Sequence, residues 1–258
     1  MVFKAMSIKP GDLILFYIDS KRKFIQRIQP GKILGTDKGL IRHDDVIGRR
    51  LGEQVSTSRG FKAYLLKPLP VDFLSAMGRV TQVIYPKDVS LMVYLAGVSE
   101  GAKVLEGGVG TGHVTAVLAY LVGEKGRVFA VDIDEAKLKK AMENLDKLGL
   151  INRVVFVHKD IREWIGERDF DAAILDIPDP WNSIRVIHES LKPSSPLLAF
   201  LPTINQVEKT VAGMRGLFTD IHVYETLVRE YLVLQDGTRP SPRMIGHTGF
   251  IVFGRKIV

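Results

Sequence analysis

The chain of 258 residues contains no cysteine, so no disulfide and no thiolate metal site can stabilise it. Its six histidines are scattered singly, which leaves no candidate metal centre. No apolar run approaches the ~18 residues that a membrane-spanning helix needs. The first residues, MVFKAMSIKPGDLILFYID, lack the long apolar core and small-residue cleavage site of a secretory signal, so the chain reads as cytoplasmic. Repeats and low-complexity tracts are missing too. What is present is 46% hydrophobic residues, over a length that suits one large domain or a large domain with a small one.

The formal charge of +7 is unevenly placed. Residues 1–66 hold 13 Lys and Arg against 6 Asp and Glu, whereas the rest of the chain holds 23 of each sign. A basic piece joined to a neutral one suggests a polyanionic partner gripped by the smaller part. That part also looks β-rich: DLILFYID, FIQRI, KILG and KAYLLKP are short apolar runs punctuated by Gly, Asp and Pro.

KPLPVDFLSAMGR bridges to a different rhythm. From about residue 80, strand candidates KVLEG, RVFAVD, VVFVHKD, DAAILD and PLLAFLP alternate with stretches of helical spacing. The latter are TAVLAYLVG, EAKLKKAMENLDKLG, IREWIGE, SIRVIHESLK and TINQVEKTVAGMRG. This alternation predicts a parallel α/β sheet. IHVYETLVREYLVL and GFIVFGRKI read as two further strands forming an antiparallel edge pair.

The first strand runs into VLEGGVGTGHVTAVLA, where G-x-G-x-x-G fails because His113 falls at its sixth position. E-x-G-x-G-x-G fits instead, beginning at Glu106. That is the arrangement of enzymes that bind S-adenosyl-L-methionine, a donor with no phosphate to hold. Asp132 ends the second strand, where an acid can accept both hydrogen bonds of a ribose diol. Asp160 follows the third strand and Asp176 ends the fourth. Asp160 could face an adenine amino group or simply cap the next helix. In an open α/β sheet, Glu106, Asp132, Asp160 and Asp176 would share one rim beyond the strand ends. Asp176 leads into DIPDPW, where Pro178 and Pro180 forbid regular structure.

RVTQVIYPKDVSLMVYLAGVSEGAKVLEGGVGTGHVTAVLA, LDIPDPW, AFLPTINQV and HTGFIVFGRK closely resemble the tRNA (adenine-N1)-methyltransferases that modify the T-loop. The resemblance covers residues 70–258 and is nearest to archaeal members. It implies a class I S-adenosyl-L-methionine-dependent methyltransferase, with a Rossmann-like seven-stranded sheet at 67–258 and a small basic RNA-binding β domain at 1–66. It also implies a homotetramer acting on tRNA, at N1 of adenine 58, with adenine 57 added in some archaeal members.

Carried over by motif, Gly108, Val109, Gly110, Thr111, Gly112 and His113 would cradle the methionine part of the cofactor. Asp132 would take the ribose with Lys137 nearby, and Asp160 and Ile161 would flank the adenine. Gln82 and Tyr85 belong to a segment closing over the site, Glu106 at the strand end and Gln82 would join the cofactor contacts, and Asp176 matches the catalytic carboxylate bordering the cofactor. Phe200 stands where the family often has tyrosine, so stacking by that ring survives and a hydroxyl role does not. Lys21, Arg22, Lys23, Arg49, Arg50 and Arg59 would contact RNA phosphates. His247 reads as support for the last strand. Two rival functions stay open on sequence: a methyltransferase for protein or small molecules, and a non-catalytic tRNA-binding subunit.

Overall fold

In the computed structural model, residues 7–77, 82–164 and 166–258 are described, and they fall into two compact units. One comprises the described residues up to 77 together with 142–151; the other comprises 82–141 and 152–258. The first unit thus runs past residue 66, the boundary expected from the change of rhythm.

The first unit contains β1 (Leu13–Asp19), β2 (Arg22–Arg27), β3 (Ile33–Thr36), β4 (Gly39–Arg42), β5 (Gln54–Ser56), β6 (Lys62–Leu66) and α1 (Pro70–Ala76). An antiparallel sheet of order β2-β1-β6-β5 and the β3–β4 hairpin enclose a core that includes Ile14, Phe16, Ile28, Ile41, Val46 and Leu65. The Asp19 side chain accepts from the Lys21 amide at 2.9 Å, an Asx turn that reverses β1 into β2. Pro70 opens α1, where a missing N–H costs nothing, and Asp72 accepts from the Leu69 amide at 3.0 Å.

The second unit runs α2 (Pro86–Leu95), β7 (Lys103–Gly107), α3 (His113–Val122), β8 (Arg127–Asp132), α4 (Glu135–Leu148, its end grouped with the first unit) and β9 (Val154–His158). It continues with β10 (Ala172–Leu175), α5 (Ile184–Ser190), β11 (Pro196–Leu201), α6 (Ile204–Met214), β12 (Phe218–Tyr224), β13 (Tyr231–Leu234), β14 (Gly237–Pro240) and β15 (Phe250–Lys256). The seven-stranded sheet has the order β12-β15-β11-β10-β7-β8-β9. β7 to β11 are parallel and β15 is antiparallel to both its neighbours, so the sheet is mixed, as expected from sequence.

Central parallel strands are covered on both faces, which is why β10 is buried at every residue. One face packs Leu105, Leu175, Ile184, Ile187, Val207 and Met214. On the other, Val109 and Ala130 meet Leu138 and Ala141 of α4. After β9 the chain crosses to the far side of β7, so successive strands add in opposite directions from β7 and β10. The strand order thus reverses between β7 and β10, the place in an open α/β sheet where ligands bind beyond the carboxyl ends.

Two expected elements differ. Among its described residues, IREWIGE forms a short 3-10 turn, Ile161–Glu163, rather than a helix. Beyond it Trp164, in an extended conformation, turns into the core beside Phe129 and Phe170 and donates from its indole to the Glu167 carbonyl at 2.9 Å. IHVYETLVREYLVL is likewise not one strand: β12 ends at Tyr224, and Tyr231–Leu234 pairs with Gly237–Pro240 in a separate hairpin.

Candidate active site

The glycine loop after β7 is built around a close approach. Gly108 has φ +85°, and a Cβ there would lie 2.1 Å from the Asp176 carbonyl oxygen. The Asp176 amide donates to the Gly107 carbonyl at 2.8 Å, locking the loops after β7 and β10 against each other. Only glycine satisfies both the left-handed backbone and the missing space.

Asp132, at the end of β8 and 8% exposed, grips this loop. Its Oδ2 accepts from the amides of Val109 (2.9 Å) and Gly110 (3.2 Å), and its Oδ1 from the Asp134 amide (2.9 Å). A carboxylate has about four acceptor positions, so Asp132 retains about one for a ligand. It cannot take both hydroxyls of a diol without releasing a loop amide.

A cleft is lined by Gly108, Asp132, Lys137, Asp160, Ile161, Arg162 and Asp176, among others. It thus brings together five of the residues singled out from the cofactor motif, besides Asp176. Glu106, Val109, Gly110, Thr111, Gly112 and His113 line neither this cleft nor the cavity described next. Buried His113 instead pairs through Nδ1 with the Ile84 carbonyl at 3.1 Å. It anchors the segment leading to Tyr85.

Arg162 is a cleft residue the sequence did not reveal. Its Nε lies 2.9 Å from both oxygens of Asp160, and its Nη1 lies 3.0 Å from Asp179 Oδ2. Asp160 also caps the following 3-10 turn through the Arg162 amide at 2.9 Å. The Arg162 hydrogen bonds hold the Asp160 carboxyl below the usual range. The capping role of Asp160 is therefore realised. Finding Arg162 from sequence would have required weighing the residue two beyond the strand-tip acid as that acid's partner.

A second cavity is lined by Gln82, Ile84, Tyr85, Asp176, Phe200, Pro202, Ile245, His247 and Thr248. Phe200 packs one ring face on Gly249, where a Cβ would come within 2.5 Å of the ring. Asp176 is the one residue that borders both cavities. It opens onto them while protein packs around its other sides, and its carboxyl has no hydrogen-bond or ion-pair partner among the described residues. The protein atoms packed around it, and secondarily the charge of Asp132, push its pKa up to about 6, with Lys137 opposing, although the side chain is solvent-exposed where it meets the cavities.

Glu106 lies beneath, 1% exposed, with Thr115 beside it holding its carboxyl down only weakly. Burial chiefly, with Asp176 and Asp132 adding, raises it to about 8, so it is largely a neutral acid at pH 7. The neutral form removes one charge from a crowded group of three acids.

In the first unit, most of the basic residues singled out for RNA already have partners. Arg22 forks onto Asp37 (2.8 and 2.6 Å) and reaches Asp19 (2.8 Å). Lys23 meets Asp72 at 3.5 Å, Arg50 meets Glu53 at 2.7 Å, and Arg49 and Arg59 donate to backbone carbonyls. Lys21 has no side-chain partner among the described residues.

Residues 60–238 match the family described as the tRNA methyltransferase complex GCD14 subunit. The chain is 35% identical over 248 residues to the tRNA (adenine(57)-N(1)/adenine(58)-N(1))-methyltransferase TrmI of Methanocaldococcus jannaschii, covering 86% of this chain and 87% of that protein. Among solved structures it is similar to one titled SAM-dependent O-methyltransferase from Thermotoga maritima. There the TM-score is 0.85 at 39% identity, covering 100% of this chain and 98% of that one. It is also similar to the tRNA (m1A58) methyltransferase TrmI from Aquifex aeolicus, with TM-score 0.80 at 30% identity over 98% and 100% of the respective chains.

Proposed function

This chain belongs to the tRNA (adenine-N1)-methyltransferase family, and we propose that it methylates N1 of adenine 58 in the T-loop of tRNA, with S-adenosyl-L-methionine as donor. The single observation that supports this reading best is the unpartnered carboxyl of Asp176 on the wall shared by two cavities, one for each reactant.

The residues of the first cleft fit the donor. Its loop amides at Val109 and Gly110 are spent on Asp132, which suits a ligand with no phosphate. Gly108 allows close approach, Asp132 offers one acceptor position to a ribose hydroxyl, and Ile161 offers an apolar surface to a purine. When bound, the cofactor supplies an electrophilic sulfonium methyl group.

The second cavity suits a planar base, with Tyr85 and Phe200 available to stack on it. N1 of neutral adenine carries a free lone pair, so no base has to remove a proton first. Methylation leaves the ring cationic, with charge shared toward the exocyclic amino group. Asp176, accepting a hydrogen bond from that group, binds more tightly as the charge grows, which is the condition for lowering a barrier. Holding the acceptor in line with the donor supplies the rest. Because N1 lies on the pairing edge, the target must be unpaired or extruded before it enters.

The excess positive charge of residues 1–66 supports a phosphate-gripping role for that unit, with Lys21 the freest candidate. Exposed Leu227, Val228, Tyr231, Val233 and Leu234, around the β13–β14 hairpin, support assembly into a homotetramer, which sedimentation would test. The function is tested by incubating tRNA transcripts with protein and labelled cofactor and mapping the methylated positions. Label at N1 of position 58 is expected, and position 57 is scored in the same map. Transfer to small hydroxyl compounds with none to tRNA would overturn the proposal.

A further inference from the structure

We infer that His247 is a positioning residue of the acceptor cavity, tying as an imidazolium two segments of its wall, at Pro202 and at 245–248, to Glu225 behind them. This rests on reading that cavity as the seat of the acceptor base. His247 Nδ1 lies 2.6 Å from Glu225 Oε1, just past β12, and Nε2 lies 3.0 Å from the Pro202 carbonyl oxygen, just past β11. A carboxylate and a carbonyl oxygen only accept. Both ring nitrogens must therefore carry hydrogen, and only the cation does so. A neutral ring keeps one bond and loses the other.

The residues on either side of this tie make up the cavity wall. Pro202, Ile245, His247 and Thr248 line it together with Phe200. A second tie runs in parallel: the Thr248 hydroxyl donates to Asp88 at 2.7 Å, and the Lys87 ammonium donates to the Thr226 carbonyl at 2.8 Å. That tie is nearly closed to solvent, with side-chain exposures of 10% for Lys87 and 0% for Asp88. The His247 tie is half exposed and so is the one that responds to pH. Glu225 also balances the imidazolium charge, so the wall adds little positive potential where a cationic ring has to form.

The charged and titratable groups around His247 are Glu225 beyond β12, Lys87 and Asp88 on α2, and Tyr85 and Asp176 on the same cavity. The Glu225 hydrogen bond, chiefly, and the Pro202 carbonyl raise its pKa, while burial and Lys87 oppose them. Phe250, with its ring centroid 4.8 Å away, adds packing without charge. The tie is complete below the ordinary histidine range and is lost as pH rises through the raised value.

The experiment pairs imidazole titration by NMR in the full chain with steady-state kinetics on tRNA between pH 6 and 9. The His247 ring is expected to titrate above the ordinary value of about 6.5, and Glu225→Gln should lower that midpoint. The KM for tRNA should rise in the same interval, while the KM for S-adenosyl-L-methionine stays level. His247→Gln should raise the tRNA KM about fivefold to tenfold at pH 7 and abolish its alkaline rise, as the loss of one charge-assisted bond predicts. A ring already neutral at pH 6.5 would overturn the inference. So would an unchanged tRNA KM, or a cofactor KM rising in step with it. If no form of the protein methylates tRNA, the acceptor reading fails; the NMR midpoint still decides whether the ring holds both bonds.

Discussion

The two cavities that meet at Asp176 are organised on opposite principles. In the first, nearly every polar group is already engaged: Asp132 with the glycine loop, and Asp160 and Asp179 with Arg162. The second presents aromatic and apolar walls, Tyr85, Phe200 and Ile245, fixed from behind by the His247 and Lys87 ties. A cleft whose polar groups are spoken for recognises a ligand by shape and a few remaining acceptors. A cavity with stiff apolar walls recognises a flat ring, and one unpaired carboxyl between the two is left for chemistry.

The strongest test of that contrast is the shared wall. Asp176→Asn should leave cofactor affinity within about twofold and cut kcat roughly tenfold to a thousandfold, equivalent to ~1.4–4 kcal/mol of transition-state stabilisation. Single-turnover rates beside calorimetric cofactor binding would separate the two. Near-normal turnover would take Asp176 out of the chemistry.

Gly108→Ala should act on both cavities at once, because the new Cβ meets the Asp176 carbonyl oxygen at 2.1 Å. Cofactor affinity should fall at least tenfold, or ~1.4 kcal/mol, and turnover with it. Retained affinity would mean that the loop after β10 yields easily. A pH profile gives a smaller effect with a definite sign. Asp176 accepts only as a carboxylate, and its pKa is raised to about 6. Hence kcat should decline as pH drops through about 6, and a limb near pH 4 would contradict the desolvation of Asp176 by the protein around it. In stability the same shift works against the fold as pH rises from the ordinary carboxyl range to about 6. Phe200→Tyr should be the mildest change, with kcat/KM within about twofold, because the ring face supplies the contact. A large gain would show that a hydroxyl is wanted there.

Much of this arrangement was legible in the sequence, for reasons that also mark the limit. Apolar runs ending in Asp132 and Asp176 announced the strand tips, since buried parallel strands need continuous hydrophobic residues. E-x-G-x-G-x-G announced the loop because Gly108 is the sole residue type that fits beside Asp176. What each acid does was not legible. Asp132 turned inward to the Val109 and Gly110 amides, and Asp160 was claimed by Arg162, two residues away, through geometry that no spacing rule fixes. The IREWIGE stretch has helical periodicity, but Trp164 found Phe129 and Phe170, and tertiary packing overrode the pattern. The His247 tie joins positions 22 and 45 residues apart, a relation that only the fold creates.

The Arg162 fork has a consequence for approach from a distance. Four carboxyl groups around one opening would repel a phosphate chain at long range. Arg162 cancels much of the negative field at Asp160 and Asp179, and Glu106 stays largely uncharged. The mouth is thus electrically quieter toward a polyanion than four free carboxylates would be, with Asp132 buried beneath the glycine loop and Asp176 left open to an inserted base.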